Sequence, residues 1–345
     1  VTTRTAGQHP ISAASLVRSQ AAIETHDLAA DGTWAVYVRR TVAGNEYRRH
    51  LWRAGIDGGG SRRLTQGRTL DTTPAISPDG HRIAFLRAPA DLSASSTQRA
   101  AHVWLLPSAG GTPHRLGRLP HGAESVHWSP DGQTLAIVAP VADERFVVGA
   151  GRGDQEPTVR RITRMDFRDE SGFLDHRQHL WLAPARAGSR PTQLTHGDFD
   201  VHAPCWSPDG RTIVFATDAG PDAAINPRSI LRAVSVPDGT LRDVASLPGD
   251  LEAPSWSPDG RWIAAVGTDL VDPPESTQPE VFLVDPASGE TRSLTASLDL
   301  PVGAWASTHL SRGDEPAGPF WLDPETIVVL VTRRGRAAPW RIGLD

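Results

Sequence analysis

Trp128-Ser129-Pro130-Asp131-Gly132 recurs as Trp206-Ser207-Pro208-Asp209-Gly210 and again as Trp256-Ser257-Pro258-Asp259-Gly260. Ile76-Ser77-Pro78-Asp79-Gly80 is a variant, and Ala29-Ala30-Asp31-Gly32 is a weaker copy. Each is followed within a few residues by an apolar run, such as Leu135 to Val138 or Ile263 to Val266. A decayed sixth copy, Trp321-Leu322-Asp323-Pro324-Glu325, leads into Ile327 to Val331. Ser, Pro and Gly at the first, second and fourth positions suit a type I β-turn, and the Asp can bond the nearby backbone. A left-handed Gly adds the bulge that lets such a turn join two antiparallel strands. Every copy therefore predicts a hairpin, with its Trp or Ile as an apolar anchor on the incoming strand.

Spacing selects the architecture. The turn residues Asp31, Asp79, Asp131, Asp209 and Asp259 follow one another at intervals of 48, 52, 78 and 50. A unit of roughly 40 to 50 residues is the length of a four-stranded propeller blade. The fourth unit shows the remaining strands: Ile230 to Val236, a Pro237-Asp238-Gly239 turn, then Leu241 to Leu247. The fifth repeats the plan with Val281 to Val284, a turn at Pro286 to Gly289, and Thr291 to Leu294. Central strands that are apolar on both faces suit sheets sandwiched between neighbours. A β-sandwich with a few similar turns is the alternative, but the repeats cover nearly the whole chain. The expected fold is all-β: a propeller of four-stranded blades, five complete and a sixth incomplete. A tail and short helix occupy residues 1–20, with Pro10 to Val17 as the helical stretch, and the propeller occupies residues 21–345.

Composition narrows the function. The 345 residues contain no Lys and carry a net charge of −5, so neither nucleic acid nor an acidic membrane surface is an expected partner. No apolar stretch approaches the roughly 20 residues of a membrane-spanning helix, and no charged-then-apolar leader opens the chain. A cytoplasmic location is expected. Cys205, the single cysteine, precedes a core Trp and reads as a buried structural thiol. Gly58-Gly59-Gly60 lacks the Lys and the helix of a phosphate loop and reads as a hairpin turn. His176 and His179 lead into a strand with no third ligand suggested, so neither a metal nor another cofactor is expected.

The third repeat is some 28 residues longer than its neighbours. The excess lies between the strand ending near Val138 and His179-Leu180-Trp181-Leu182. It includes Gly149 to Gly153 and then Val159 to Leu174, in which Arg, apolar and acidic residues alternate. A long excursion from a repeat unit sits on one face, where it can touch a ligand or another domain. The simpler reading is a salt-bridged ribbon whose charges only solvate it.

These residues resemble a known family. The repeats are similar to TolB-type propeller repeats. Their combination with Arg161-Ile162-Thr163-Arg164, Arg168-Asp169-Glu170-Ser171-Gly172-Phe173 and His179-Leu180-Trp181 resembles the prolyl oligopeptidase family of serine peptidases. The subgroup it is most similar to contains acylaminoacyl-peptidase and dipeptidyl-aminopeptidase-like enzymes. Family members usually show a simple Asp-Gly where this chain has Asp169 to Gly172. The resemblance implies a short helix, a propeller, commonly of seven blades, and then an α/β-hydrolase domain with a Ser-Asp-His triad. The propeller would cover the active site, admit short peptides and hold a peptide terminus. The excursion supplies the candidates: Arg161, Arg164 and Arg168 for a carboxylate, Asp169 and Glu170 for an amino terminus.

No Gly-x-Ser-x-Gly elbow occurs, and no alternating strand-helix region exists to carry one. The last blade has three strands. The expectation is the front part of a longer polypeptide, inactive alone, with the hydrolase domain downstream. A stand-alone TolB-like propeller that binds a protein partner is the alternative. A propeller lyase or glycosidase would need polar residues repeated at inward positions, and the sequence reading finds none.

Overall fold

The computed structural model describes residues 16, 19–44, 46–90, 100–142, 147–148, 159–162, 167–169, 172–173, 175–218, 223, 228–272, 274, 277–305 and 318–344. The short helix expected over Pro10 to Val17 lies almost wholly outside them.

Each pentapeptide forms the hairpin its residues dictate. In the second copy, Gly80 N donates to Ser77 O at 2.8 Å and Gly80 has φ +71°. Asp79 Oδ1 accepts from the Ser77 hydroxyl and from His81 N, and Ser77 Oγ accepts from Arg82 N. The same bonds recur around Ser129, Ser207 and Ser257. The seryl hydroxyl bond and the backbone N–H hold the carboxyls of Asp79, Asp131, Asp209 and Asp259 below their usual range. The weaker first copy lacks the Ser, and Asp31 bonds Thr33 instead.

Among the described residues the hairpins grow into six blades of a β-propeller, the first two joined in one sheet. Blade 1 contains Ala21–Leu28, Trp34–Ala43, Glu46–Gly55 and Ser61–Arg63. Blade 2 contains Thr69–Ile76, Arg82–Pro89, His102–Pro107 and His114–Arg115. Blade 3 contains Ser125–Trp128, Thr134–Ala142, His176–Pro184 and Thr192–Gln193. Blade 4 contains His202–Trp206, Thr212–Asp218, Ser229–Ser235 and Leu241–Ala245, and blade 5 Leu251–Trp256, Ile263–Gly267, Glu280–Val284 and Thr291–Ser293. Among the described residues blade 6 has three strands, Phe320–Asp323, Thr326–Arg333 and Arg336–Gly343. Pairing within each blade is antiparallel, and one parallel pairing, Arg49 with Leu70, joins blades 1 and 2.

The core lies between blades rather than within them. Ile83, Phe85, Ile213 and Phe215 are completely buried in strands with apolar residues on both faces. Burying such a side chain contributes roughly 1.5–3 kcal/mol. Five buried clusters fill the interfaces between successive blades, from blades 1 and 2 to blades 5 and 6. Among the described residues no buried cluster joins blade 6 back to blade 1. Ile23 on the first strand of blade 1 is 66% exposed, and Phe320 on the first strand of blade 6 is 70% exposed.

The turns nest as the blades stack. A Cβ on Gly132 would lie 3.5 Å from Pro78, one on Gly210 3.7 Å from Pro130, and one on Gly260 3.9 Å from Pro208. The glycine of one turn therefore faces the proline of the preceding blade's turn. The anchoring Trp also reaches backward: Trp128 Nε1 donates to Ala75 O at 2.9 Å and Trp321 Nε1 to Ser255 O at 3.0 Å. These indoles tie blade 3 to blade 2 and blade 6 to blade 5, a role beyond anchoring their own hairpins.

Candidate functional site at the mouth of the channel

The first strands of successive blades touch one another and ring a central channel. Five of them slip in register, and three share a slip at a left-handed residue that precedes a proline. The register slips between Thr72 and Ala75, between His202 and Cys205, and between Glu252 and Ser255. At each slip a non-glycine residue takes a left-handed backbone: Thr73 at φ +43°, Ala203 at +45° and Ala253 at +48°. Each precedes a proline (Pro74, Pro204, Pro254), a position that ordinarily favours extended backbone. Proline has no N–H to give a ladder and is tolerated at a bulge. Such bulges re-aim the side chains beside them.

These side chains line a cavity of about 830 Å³ at the channel mouth. Seven residues before each turn Asp stand Glu24, Thr72, Glu124, His202 and Glu252. Glu124, His202 and Glu252 line the cavity, with Asp200, Asp218, Ser229, His176, Arg177 and Gln178. Polar groups thus do recur at inward positions, contrary to the sequence reading. They were hidden because their period is the repeat itself, not a local motif.

The repeat supplies its own internal comparison. Between blades 3 and 4, Gln178 N donates to Asp200 Oδ1 at 2.6 Å. Arg177 answers that carboxylate, with Nη1 at 2.6 Å from Asp200 Oδ2 and Nη2 at 2.7 Å from Asp198 Oδ1. Between blades 4 and 5, Ser229 N donates to Asp250 Oδ1 at 2.9 Å in the equivalent bond. The Ser229 hydroxyl, in a buried residue, faces two further carboxylates, Asp218 Oδ1 at 3.0 Å and Glu252 Oε1 at 3.3 Å. Arg228 stands where Arg177 stands, but it is exposed and makes no ion pair among the described residues. Pro248 stands where Asp198 would help to hold it. Three carboxylates therefore meet around Ser229, two at its hydroxyl and one at its N–H, with no arginine paired to them among the described residues. Glu252 is itself exposed at the cavity, where partial desolvation and the adjacent Asp250 push its carboxyl above its ordinary range, against the Ser229 bond and His202.

The sequence-derived candidates are not brought together by the described structure. Arg161 is exposed beyond the short pairing of Val147–Val148 with Val159–Arg160. Arg168 is exposed at the start of a second small ribbon, in which Asp169 pairs through its backbone with Gly172. Arg164, Glu170 and the side chain of Asp169 lie outside the described residues. The excursion is nevertheless rooted at the cavity. Its flanking strands pair out to Ala142 and His176, farther than the Val138 and His179 expected, and His176 lines the mouth. The ring of His176 packs edge-on against His121, with centroids 4.6 Å apart, and burial lowers the pKa of both.

Cys205 lies in the first strand of blade 4, where burial pushes its thiol pKa up. Among the described residues no helix is long and apolar enough to cross a membrane.

Fold and channel define a β-propeller whose polar site sits at one end of its axis. No protein-family profile matches the chain. Over 197 residues it is 27% identical to the uncharacterized peptidase YuxL of Bacillus subtilis, a match covering 55% of this chain and 28% of that protein. Over 115 residues it is 30% identical to the uncharacterized protein Atu1656 of Agrobacterium fabrum, covering 32% of this chain and 38% of that one. The matched segments thus span well under half of either relative. Among solved structures, acylaminoacyl peptidase of Pyrococcus horikoshii superposes with a TM-score of 0.63 at 15% identity, covering 94% of this chain and 45% of that one. TolB of Acinetobacter baumannii gives 0.53 at 17% identity, with 91% and 62% covered. An oligogalacturonate lyase in complex with manganese gives 0.64 at 14% identity, with 94% and 78% covered. At these identities the structures establish the shared propeller fold alone.

Proposed function

We propose that this chain is the propeller part of a cytoplasmic serine peptidase of the prolyl oligopeptidase family that hydrolyses short peptides. The observation that carries the reading is the sequence likeness to the peptidase YuxL over 55% of the chain. The superposition on acylaminoacyl peptidase agrees with it in fold. The catalytic serine would reside in a downstream α/β-hydrolase domain of the same polypeptide, and the propeller alone would be inactive. The propeller's part would be to restrict access to short or unfolded peptides and to hold a peptide terminus. Arg161, Arg164, Arg168, Asp169 and Glu170 remain candidates for that contact. The root of their excursion at the cavity mouth supports them.

The test is hydrolysis by the complete gene product of a short peptide, and of the same sequence inside a folded protein. Cleavage of the peptide alone is expected. Equal cleavage of both would remove the gating role, and no cleavage of either would remove the peptidase reading. The likeness of fold to TolB favours a second reading, a protein-binding propeller without a hydrolase. That reading predicts no hydrolysis.

A further inference from the structure

We propose that the crevice between the turns of blades 3 and 4 is a binding site for a guanidinium group carried by an external ligand. It lies at the far end of the blades from the channel mouth: His202 opens the first strand of blade 4 beside the mouth cavity, and Trp206 closes it beside the crevice. The repeat shows how such a crevice is filled. Between blades 1 and 2, Arg53 Nη1 donates to Ser108 O at 3.1 Å and Arg62 Nη2 to the same oxygen at 3.3 Å. Between blades 2 and 3, Arg82 Nη1 donates to Ala185 O at 2.8 Å and Nη2 to Gly132 O at 2.7 Å, with its guanidinium over the Trp128 ring. Ser108 and Ala185 each stand just past the third strand of the later blade, the position of Val236 in blade 4. A guanidinium of the earlier blade thus occupies both crevices.

Blade 3 supplies none to the next crevice. Thr134 opens its second strand where Arg82 opens that of blade 2. Leu182 stands in the register position of Arg53, and its partner Thr192 in that of Arg62. A Cβ on Gly132 would meet Arg82 Nη2 at 3.7 Å, whereas one on Gly210 meets only Pro130 within 4 Å. What remains is a cavity of about 350 Å³ lined by Thr134, Trp206, Gly210, Val236 and the turn carboxylates Asp131 and Asp209. Trp206, Gly210 and Val236 repeat the Trp128, Gly132 and Ala185 that surround Arg82. The turn bonds of Asp131 and Asp209 run to Oδ1, so Oδ2 of each takes no part in its turn. Beside the Ser77 hydroxyl and the His81 N–H, Arg82 helps to hold the Asp79 carboxyl low; Asp131 has only its turn bonds. The Trp206 indole N–H, in a residue nine-tenths buried, has no acceptor among the described residues. A guanidinium brings five donors in a plane that stacks on an aromatic face, and a peptide arginine also brings a carbonyl for the indole.

Calorimetric titration of this chain with three probes tests the site: N-acetyl-arginine methylamide, ethylguanidinium, and N-acetyl-citrulline methylamide as the uncharged counterpart. The arginine probe should bind, and the citrulline probe should bind about tenfold more weakly or not at all. Ethylguanidinium then separates the sources. Its binding would assign the site to any small guanidine, and its failure beside a bound arginine probe would assign it to an arginine within a polypeptide; both results support the site. Thr134→Arg supplies from blade 3 what Arg82 supplies from blade 2, and should abolish binding of the arginine probe while the thermal transition is retained or raised. Ala187→Arg, which adds the same charge at an exposed position of blade 3 outside the cavity, should leave binding unchanged. Equal binding of the citrulline probe, no binding of the arginine probe at up to about 1 mM, or unchanged binding by a folded Thr134→Arg variant would overturn the proposal. If that variant does not fold, the citrulline comparison decides. The crevice lies away from the channel mouth, so hydrolysis by the complete gene product bears on the peptidase reading alone.

Discussion

Trp128 of blade 3 donates its indole N–H to the carbonyl of Ala75 in blade 2, while Arg82 of blade 2 lies 4.8 Å above the Trp128 ring and donates to Gly132 O. The indole is thus held from two sides by the neighbouring blade. Among the described residues this indole bond recurs only at Trp321, while Trp206 Nε1 and Trp256 Nε1 are buried without a partner, so the inter-blade contact common to the intact copies is the nesting of each Gly against the preceding Pro.

Trp128→Phe keeps most of the ring and loses the bond, so it should cost about 1 kcal/mol. Trp128→Ala also removes the buried surface and the cation–π contact, and should cost about 3 kcal/mol or more. Urea unfolding of both variants checks the order. Equal losses would mean that the ring contributes nothing beyond its hydrogen bond, and no loss in Trp128→Phe would mean that the bond contributes nothing.

Asp71 is completely buried in blade 2 and receives both arms of Arg87, at 2.6 and 2.9 Å, with the Thr65 hydroxyl as a third donor. Removing one partner of a buried pair leaves the other uncompensated. Asp71→Ala should therefore cost about 3–5 kcal/mol. The double variant Asp71→Ala with Arg87→Met should recover part of it. Chemical denaturation of the wild type, the two single variants and the double variant forms the cycle.

Burial lowers the pKa of His102 and His127 to about 4, with Arg115 and Arg118 adding to the effect at His102. A depressed pKa means that the unfolded chain binds the proton first as pH falls. Stability contributed by the neutral rings is complete above pH about 6.5 and drains away towards pH about 4, on the order of 1–2 kcal/mol per ring. Melting temperature should fall over that window. His127→Gln should flatten the slope, and an unchanged slope would contradict the assignment.

Glu252 has the opposite sign, because its carboxyl pKa is raised. Its protonated form suits the fold, and that contribution is lost as pH rises through the folded pKa. Glu252→Gln should raise the melting temperature slightly at pH 7, by at most about 2 °C, and have no such effect at pH 3.

The turns and the blade plan were legible because their chemistry is local. Ser129, Asp131 and Gly132 settle their geometry with bonds that span five residues or fewer. The three-stranded last sheet was equally readable from the apolar runs around Ile327 and Trp340. The channel site was not. Asp218, Ser229 and Glu252 come from three strands in two blades, and the register slip before Pro254 lies beside Glu252. One signal was available: aligning the repeats on their turn Asp puts Glu24, Glu124 and Glu252 in one column. The charged excursion drew attention instead because its length broke the period. Its side chains carry no site among the described residues, although its base at His176 borders one.

The most direct test of the central claim is the intact mass of the native gene product, measured with and without a serine-directed fluorophosphonate. A peptidase whose propeller is this chain should show roughly twice the 37.0 kDa of the chain, as an added hydrolase domain requires, and gain one probe per molecule. A native product of the chain's own mass that gains no probe would contradict the peptidase reading and leave a binding propeller in its place.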